Sequence, residues 1–228
     1  MSDQGKLTPP KPTRTDAIIE GAKAGLSGPF GILSALLKTP LEKRRDEWMR
    51  AVEEALLELQ EKIAGFSIDS LAENELFVST VVQAAVAALR THVEEKRMAL
   101  RNVVLNTAIS PNLDETKIEI LLGLLESLSA WHIKILDLFA NPDDWAVRNT
   151  RPFPDSWYMG GRSEVLEFAY PELTGKRDFY DPIVRDLNAK GLLSADSLHV
   201  MMTRNGMTQP AVTYWGAELV RLTREPKA

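Results

Sequence analysis

Residues 115–139, ETKIEILLGLLESLSAWHIKILDLF, carry the clearest helical pattern in this chain. Apolar residues recur along the stretch at intervals of three and four, which is the spacing of one helical face. Leu124, Trp131, Ile133 and Leu138 add apolar groups on other faces. Charged residues interrupt the stretch too often for a membrane span. The pattern therefore predicts one long helix, enclosed by other helices, at the core of a mainly α fold.

Further helices are predicted on the N-terminal side of this core helix. One runs from about Leu41 to Ala64 and follows Pro40, which suits the first turn of a helix. Its apolar stripe consists of Leu41, Trp48, Val52, Ala55, Leu56, Leu59 and Ile63. A second runs from about Leu71 to Thr91, and a third, or a continuation of the second after a kink, covers 92–108. Together, residues 15–140 are predicted to form a helical bundle.

The first residues differ in composition from this bundle. Residues 1–14 are rich in Pro, Lys and Thr and are predicted to be a disordered leader. Residues 16–38 contain repeated glycines among apolar residues, which predicts two half-helices broken at Gly28-Pro29. Glycine lowers helix stability by roughly 1 kcal/mol relative to alanine, so this segment needs a partner surface. This partner surface is the chain's own core, another subunit or a lipid interface.

Bulk composition narrows the function classes. The 228 residues are 44% hydrophobic and 26% charged, which is typical of a globular protein. The net charge of -5 argues against a surface that is basic throughout and binds nucleic acid. The absence of cysteine excludes disulfides, thiolate nucleophiles and cysteine zinc sites. The N-terminal residues lack the pattern of a secretory signal, so we expect a cytoplasmic protein of bacterial type.

The character of the sequence changes after Ala140. Residues 141–162 contain several prolines, which break regular structure, together with Trp145, Phe153, Trp157 and Tyr158. We predict an ordered linker whose aromatic side chains pack on the bundle.

Residues 163–224 contain a recognisable order of elements. SEVLEFAYPEL predicts a helix, and Asp181-Pro182 is a good start for a second helix that ends at Gly191. SLHVMMT and QPAVTY are strand-like runs, and Asn205-Gly206 between them is a hairpin signal. Thr213 is a suitable cap for a final helix. This order resembles a winged helix, so residues 163–228 are predicted to be a small α+β module.

The winged-helix resemblance implies a DNA-binding alternative. Its second helix would enter the major groove and its hairpin would contact the backbone. Lys176, Arg177, Arg185 and Arg204 are the candidate nucleic-acid contacts. Asp181 and Asp186 on the same helix would repel phosphates, which favours protein contacts for the module.

Catalytic motifs are not evident. His92, His132 and His199 lack the spacing of a metal-binding helix, and the glycines of GLSGPFG lack the lysine of a phosphate-binding loop. His132 lies on the apolar stripe of the core helix, and we expect its ring to bond to a buried carbonyl or carboxylate. His132 and Glu75 are the residues that would line a polar core site. We therefore predict no catalytic residue, cofactor or metal.

These observations favour a non-enzymatic interaction or regulatory protein that self-associates or binds a protein partner. The alternatives are a DNA-binding transcriptional regulator that uses the winged-helix-like module and a membrane-associating effector that uses residues 16–38.

Overall fold

Helices account for most of the structure, a computed structural model that describes residues 29–110 and 112–226, with side chains from residue 40 onward. In chain order the helices are α1 (Pro29–Lys62), α2 (Glu75–Arg90), α3 (Glu94–Ala108), α4 (Glu115–Ser127), α5 (Ala130–Ala140), α6 (Pro142–Arg148), α7 (Arg162–Ala169), α8 (Arg177–Ala189), α9 (Arg204–Thr208) and α10 (Tyr214–Thr223). The strands are β1 (Met159–Gly160) and β2 (Met202–Thr203), and 3-10 turns cover Asp69–Glu73 and Pro171–Leu173. The prediction of a mainly α fold is confirmed.

Contacts divide the chain into two units, Met1–Glu47 and Trp48–Ala228. In the first unit the described residues belong to α1, where Lys43 and Glu47 pair across one turn at 3.7 Å. Within the second unit, α10 packs on α3 and α5, so residues beyond the predicted boundaries near 140 and 163 contact the helices that precede them. The predicted leader, and the glycine-rich segment as far as Gly28, lie outside the described residues.

Helix α1 is longer than predicted. It begins at Pro29 and includes Pro40, which we had placed before its start. Proline has no N–H to donate to the preceding turn, but one missing bond does not end a helix that continues on both sides. The predicted stripe is confirmed in the second unit, where Trp48, Val52, Leu56 and Leu59 are buried.

The predicted core helix over 115–139 is two helices. Leu128 adopts an extended conformation between α4 and α5, and Ser129 precedes the first turn of α5. Asp114 caps α4 by accepting a 2.8 Å hydrogen bond from the amide of Lys117. The break is stabilised by local bonds around Ser129 rather than by glycine or proline.

The most completely enclosed helix is α3. Every residue from Asn102 to Ala108 is buried, and α3 contacts α2, α5 and α10. The Nδ2 of Asn102 donates to the carbonyl of Thr223 at 2.8 Å. The two N–H groups on Nδ2 of Asn106 are shared among the carbonyls of Asn102, Leu222 and Arg224 at 2.9–3.0 Å. The polar groups of this core helix therefore hold the end of α10.

Residues 141–162 include the short helix α6, which the linker prediction did not contain. Pro142 occupies its first turn instead of breaking the structure. The aromatic rings are ordered in a cluster in which Trp145 contacts Phe153 and Phe153 contacts Trp157. Tyr158, by contrast, is exposed.

The C-terminal elements differ from prediction at two places. Helix α8 begins at Arg177, so Asp181 does not cap it and Pro182 lies inside it. Residues 204–208 form α9 rather than a hairpin turn, and β2 pairs antiparallel with β1 instead of with residues 209–214. Thr213 caps α10 as predicted, since its Oγ1 accepts a 3.1 Å hydrogen bond from the amide of Gly216.

Replacing Asn106 with alanine is expected to lower the free energy of unfolding by about 2 kcal/mol, because buried carbonyls at the end of α10 lose their donor. Urea denaturation followed by circular dichroism measures the change. Asn205→Ala is the control, since Asn205 is exposed on α9. An Asn106→Ala protein as stable as the control would contradict this role for the amide.

Candidate functional site

A row of exposed apolar side chains runs along α2. Val78, Val82 and Val86 follow one another at intervals of four residues and therefore lie on one face of the helix. Their side chains remain 44%, 58% and 45% exposed. Glu75 begins the same row and Arg90 ends it, both on the surface. We call this row, with the grooves on either side of it, the α2 face.

A groove borders each side of the valine row. The groove between α1 and α2 has a volume of about 260 Å³, and its walls include Met49, Leu57 and Val81. The groove between α2 and α4 has a volume of about 310 Å³ and is lined in part by Gly123. The space above α4 is open at Gly123, since a Cβ added there would meet nothing within 4 Å.

Carboxylates surround the α2 face. Glu53 lines the groove beside α1, and Glu119 and Glu126 line the groove beside α4. Arg90 forms an ion pair with Glu126. Glu53 and Glu119 form no ion pair with any residue that the structure describes. The face is therefore apolar along its centre and acidic along both edges.

The candidate nucleic-acid contacts lie around α8 and the short sheet. Lys176, Arg177 and Arg185 are exposed and form no ion pair within residues 29–110 and 112–226. Arg204 lies at the start of α9, where its guanidinium pairs with Asp155 at 3.1 Å. The structure therefore places three of the four cations on or beside one helix, with the fourth on another element.

Both aspartates that were expected to repel phosphates have partners. Asp181 lies 2.8 Å from Nε2 of His199. Asp186 contacts Nε2 of His132 at 3.1 Å and accepts a 2.7 Å bond from Nζ of Lys190. The bond from Lys190 lowers the pKa of Asp186, so this carboxylate is ionised and charge-paired near neutral pH.

His132 joins the start of α5 to α8. Its Nδ1 accepts a 3.2 Å bond from the backbone N–H of Ser129 and lies 2.7 Å from the hydroxyl of that serine. In the neutral ring the proton is therefore on Nε2, and this N–H donates a hydrogen bond to Asp186. Burial lowers the pKa of His132, against the opposing effect of Asp186. The ring bonds to a carboxylate as expected, but at a partly exposed junction between helices rather than deep in the core.

Glu75 takes no part in this junction. It lies on the surface in the first turn of α2, so it does not form a core site with His132. No group of three or more potential metal-ligating side chains occurs among the described residues.

Comparison with known proteins gives no relative for this chain. No family model, curated protein or solved structure matches it. Within the described residues, no helix has the length and hydropathy needed to cross a membrane.

The valine row was not predicted from the sequence. The sequence predicts a helix over about Leu71 to Thr91 without separating its faces, and the structure buries Ala84, Ala87 and Ala88. The spacing of four residues between Val78, Val82 and Val86 is the signal that separates the exposed row from the buried alanines.

The lowered pKa of His132 gives a pH dependence with a definite sign. The unfolded chain binds a proton at this histidine more readily than the folded chain, so the free energy of unfolding falls as pH drops below about 6.5. Urea denaturation between about pH 7.5 and 5.5 measures the decline. We expect a smaller decline in His132→Gln and the wild-type decline in His92→Gln, since His92 is exposed. Equal declines in all three proteins would contradict the role of His132.

Proposed function

We propose that this chain is an interaction protein that binds an amphipathic helix of a protein partner on the α2 face. The observation that carries the proposal is the row Val78, Val82 and Val86 between two grooves. Single exposed apolar residues are normal on a protein surface, but a contiguous row beside apolar grooves is typical of a binding site.

The dimensions of the face suit a helix. The row spans Val78 to Val86, a helical length of about 12 Å, which matches slightly more than two turns of a partner helix. Apolar side chains on adjacent turns of the partner would enter the grooves, where Met49, Leu57 and Val81 provide contact. Helix-in-groove recognition of this kind uses apolar anchors at intervals of three and four residues.

Val82 is the central residue of the row and tests the proposal. A helical peptide with leucines on one face and glutamines on the other is expected to bind, as measured by fluorescence anisotropy. Val82→Asp is expected to weaken binding at least tenfold, a loss of about 1.4 kcal/mol, because it removes apolar contact and places a charge in the interface.

Val147→Asp is the matched control. Val147 is a helical valine that is 79% exposed on α6, away from the α2 face. The peptide is expected to bind this variant as it binds the wild type. Absence of peptide binding, or equal weakening by both substitutions, would reject the proposal.

DNA binding by the C-terminal elements is the second candidate function. It is supported by the pairing of Asp186 with Lys190, which offsets one of the two aspartate charges that opposed it. Lys176, Arg177 and Arg185 remain as cations without ion pairs among the described residues. The antiparallel bridge between Leu193 and Val212, which follows α7 and α8, is in keeping with the winged-helix resemblance.

A salt series with random duplex DNA tests this second candidate. Each phosphate contact contributes about 0.9 to the slope of log affinity against log salt concentration. Arg177→Glu/Arg185→Glu is expected to abolish binding, whereas Arg50→Glu on α1 is expected to have little effect. Absence of binding at low salt would reject DNA as the ligand.

A further inference from the structure

We infer that the helix bound on the α2 face is a basic segment of a different protein, with cations along both edges of its apolar stripe. This inference rests on the interaction function proposed above and specifies its partner. It is carried by the distribution of charge around the two grooves.

The edges of the face are acidic on both sides. Glu53 lies beside the groove at α1, and Glu119 and Glu126 lie beside the groove at α4. Glu53 and Glu119 have no cationic partner among the described residues, so their charges are available to a ligand. Glu126 already pairs with Arg90, and the Lys96 ammonium adds positive charge beside it. A partner with Lys or Arg flanking its apolar stripe would pair with Glu53 and Glu119.

The spacing of the acids sets a pattern for the partner. Glu119 and Glu126 are separated by two turns of α4, about 10 Å along the helix axis. A partner helix that lies along this groove meets Glu119 with one cation, since Glu126 is already paired with Arg90. On its opposite edge, one cation faces Glu53. Its apolar residues occupy the stripe between these edges and cover Val78, Val82 and Val86.

The same charges argue against a second copy of this chain as the occupant. Two copies that pair through this face bring acidic edges together, since each face carries Glu53, Glu75, Glu119 and Glu126 against Arg90, with Lys96 beside Glu126. Like charges that face each other across an interface favour other partners. The net charge of -5 adds repulsion at long range between two copies.

Two helical peptides with the same leucine stripe test the inference. One carries lysines along both edges of the stripe and the other carries glutamates. The lysine peptide is expected to bind the full chain at least tenfold more tightly at low salt, and the difference is expected to shrink as salt is added. Glu53→Lys/Glu119→Lys is expected to reverse the preference.

Glu54→Lys/Glu61→Lys is the matched control. Both residues are exposed on α1, outside the two grooves, and the substitutions change the net charge by the same amount. The preference for the lysine peptide is expected to persist in this variant. If the two double variants behave alike, the preference reflects net charge and the inference is overturned.

The remaining outcomes separate the inference from the function on which it rests. Equal binding of the lysine, glutamate and glutamine peptides would overturn the basic partner and leave the interaction function standing. Absence of binding by all three would overturn both. Sedimentation equilibrium of the full chain measures whether two copies associate. A dimer that dissociates in the Val82→Asp variant would overturn the inference, although the α2 face would remain the interface.

Discussion

The enclosure of α3 is the constraint on which the second unit depends. A helix buried over seven consecutive residues cannot leave polar groups without partners, because each unpaired group costs about 1–3 kcal/mol. Asn102 and Asn106 meet this requirement by donating to carbonyls at the end of α10. The last helix is therefore tied to the middle of the chain by hydrogen bonds, in addition to its apolar contacts. Trp48 makes a similar tie from α1, since its Nε1 donates to the carbonyl of Arg97 at 3.3 Å.

The two faces of α2 have different roles. Its alanines, Ala84, Ala87 and Ala88, are buried and allow close approach of α3. Val78, Val82 and Val86 are directed away from that contact and remain exposed between the grooves. The rest of the chain leaves about half of their surface uncovered. Their apolar surface is thus free to serve an intermolecular contact, and the acidic edges restrict which partner can use it.

Local patterns in the sequence predicted much of the fold. The stripe Trp48, Val52, Leu56 and Leu59 and the cap at Thr213 follow from helical periodicity and capping chemistry, which act over a few residues. The same rules failed where a distant contact decided the outcome. Asn205-Gly206 is a hairpin signal, yet Met202 and Thr203 pair with the distant residues Gly160 and Met159, and residues 204–208 form α9.

Contacts between distant residues also explain the errors around the candidate sites. Asp181-Pro182 has the chemistry of a helix start, but α8 begins earlier and Asp181 bonds to His199 instead. The pair between His132 and Asp186 joins α5 to α8, and no local sequence motif predicts this pair. The opposite error occurred for an exposed residue, since Glu75 was predicted for a core site but lies on the surface. Which face of α2 is covered depends on α1, α3 and α4 together.

The aromatic cluster has a spectroscopic consequence for the chain's five tryptophans. Trp131 and Trp145 contact the ring of Tyr170, and Trp157 joins them through Phe153, so these three indoles belong to one cluster. Trp215 lies beside Tyr214. Trp48 is set apart from these rings on α1, one residue before Met49 of the groove. A chain that retains Trp48 as its single tryptophan would emit light that reports directly on whether α1 is docked against α3.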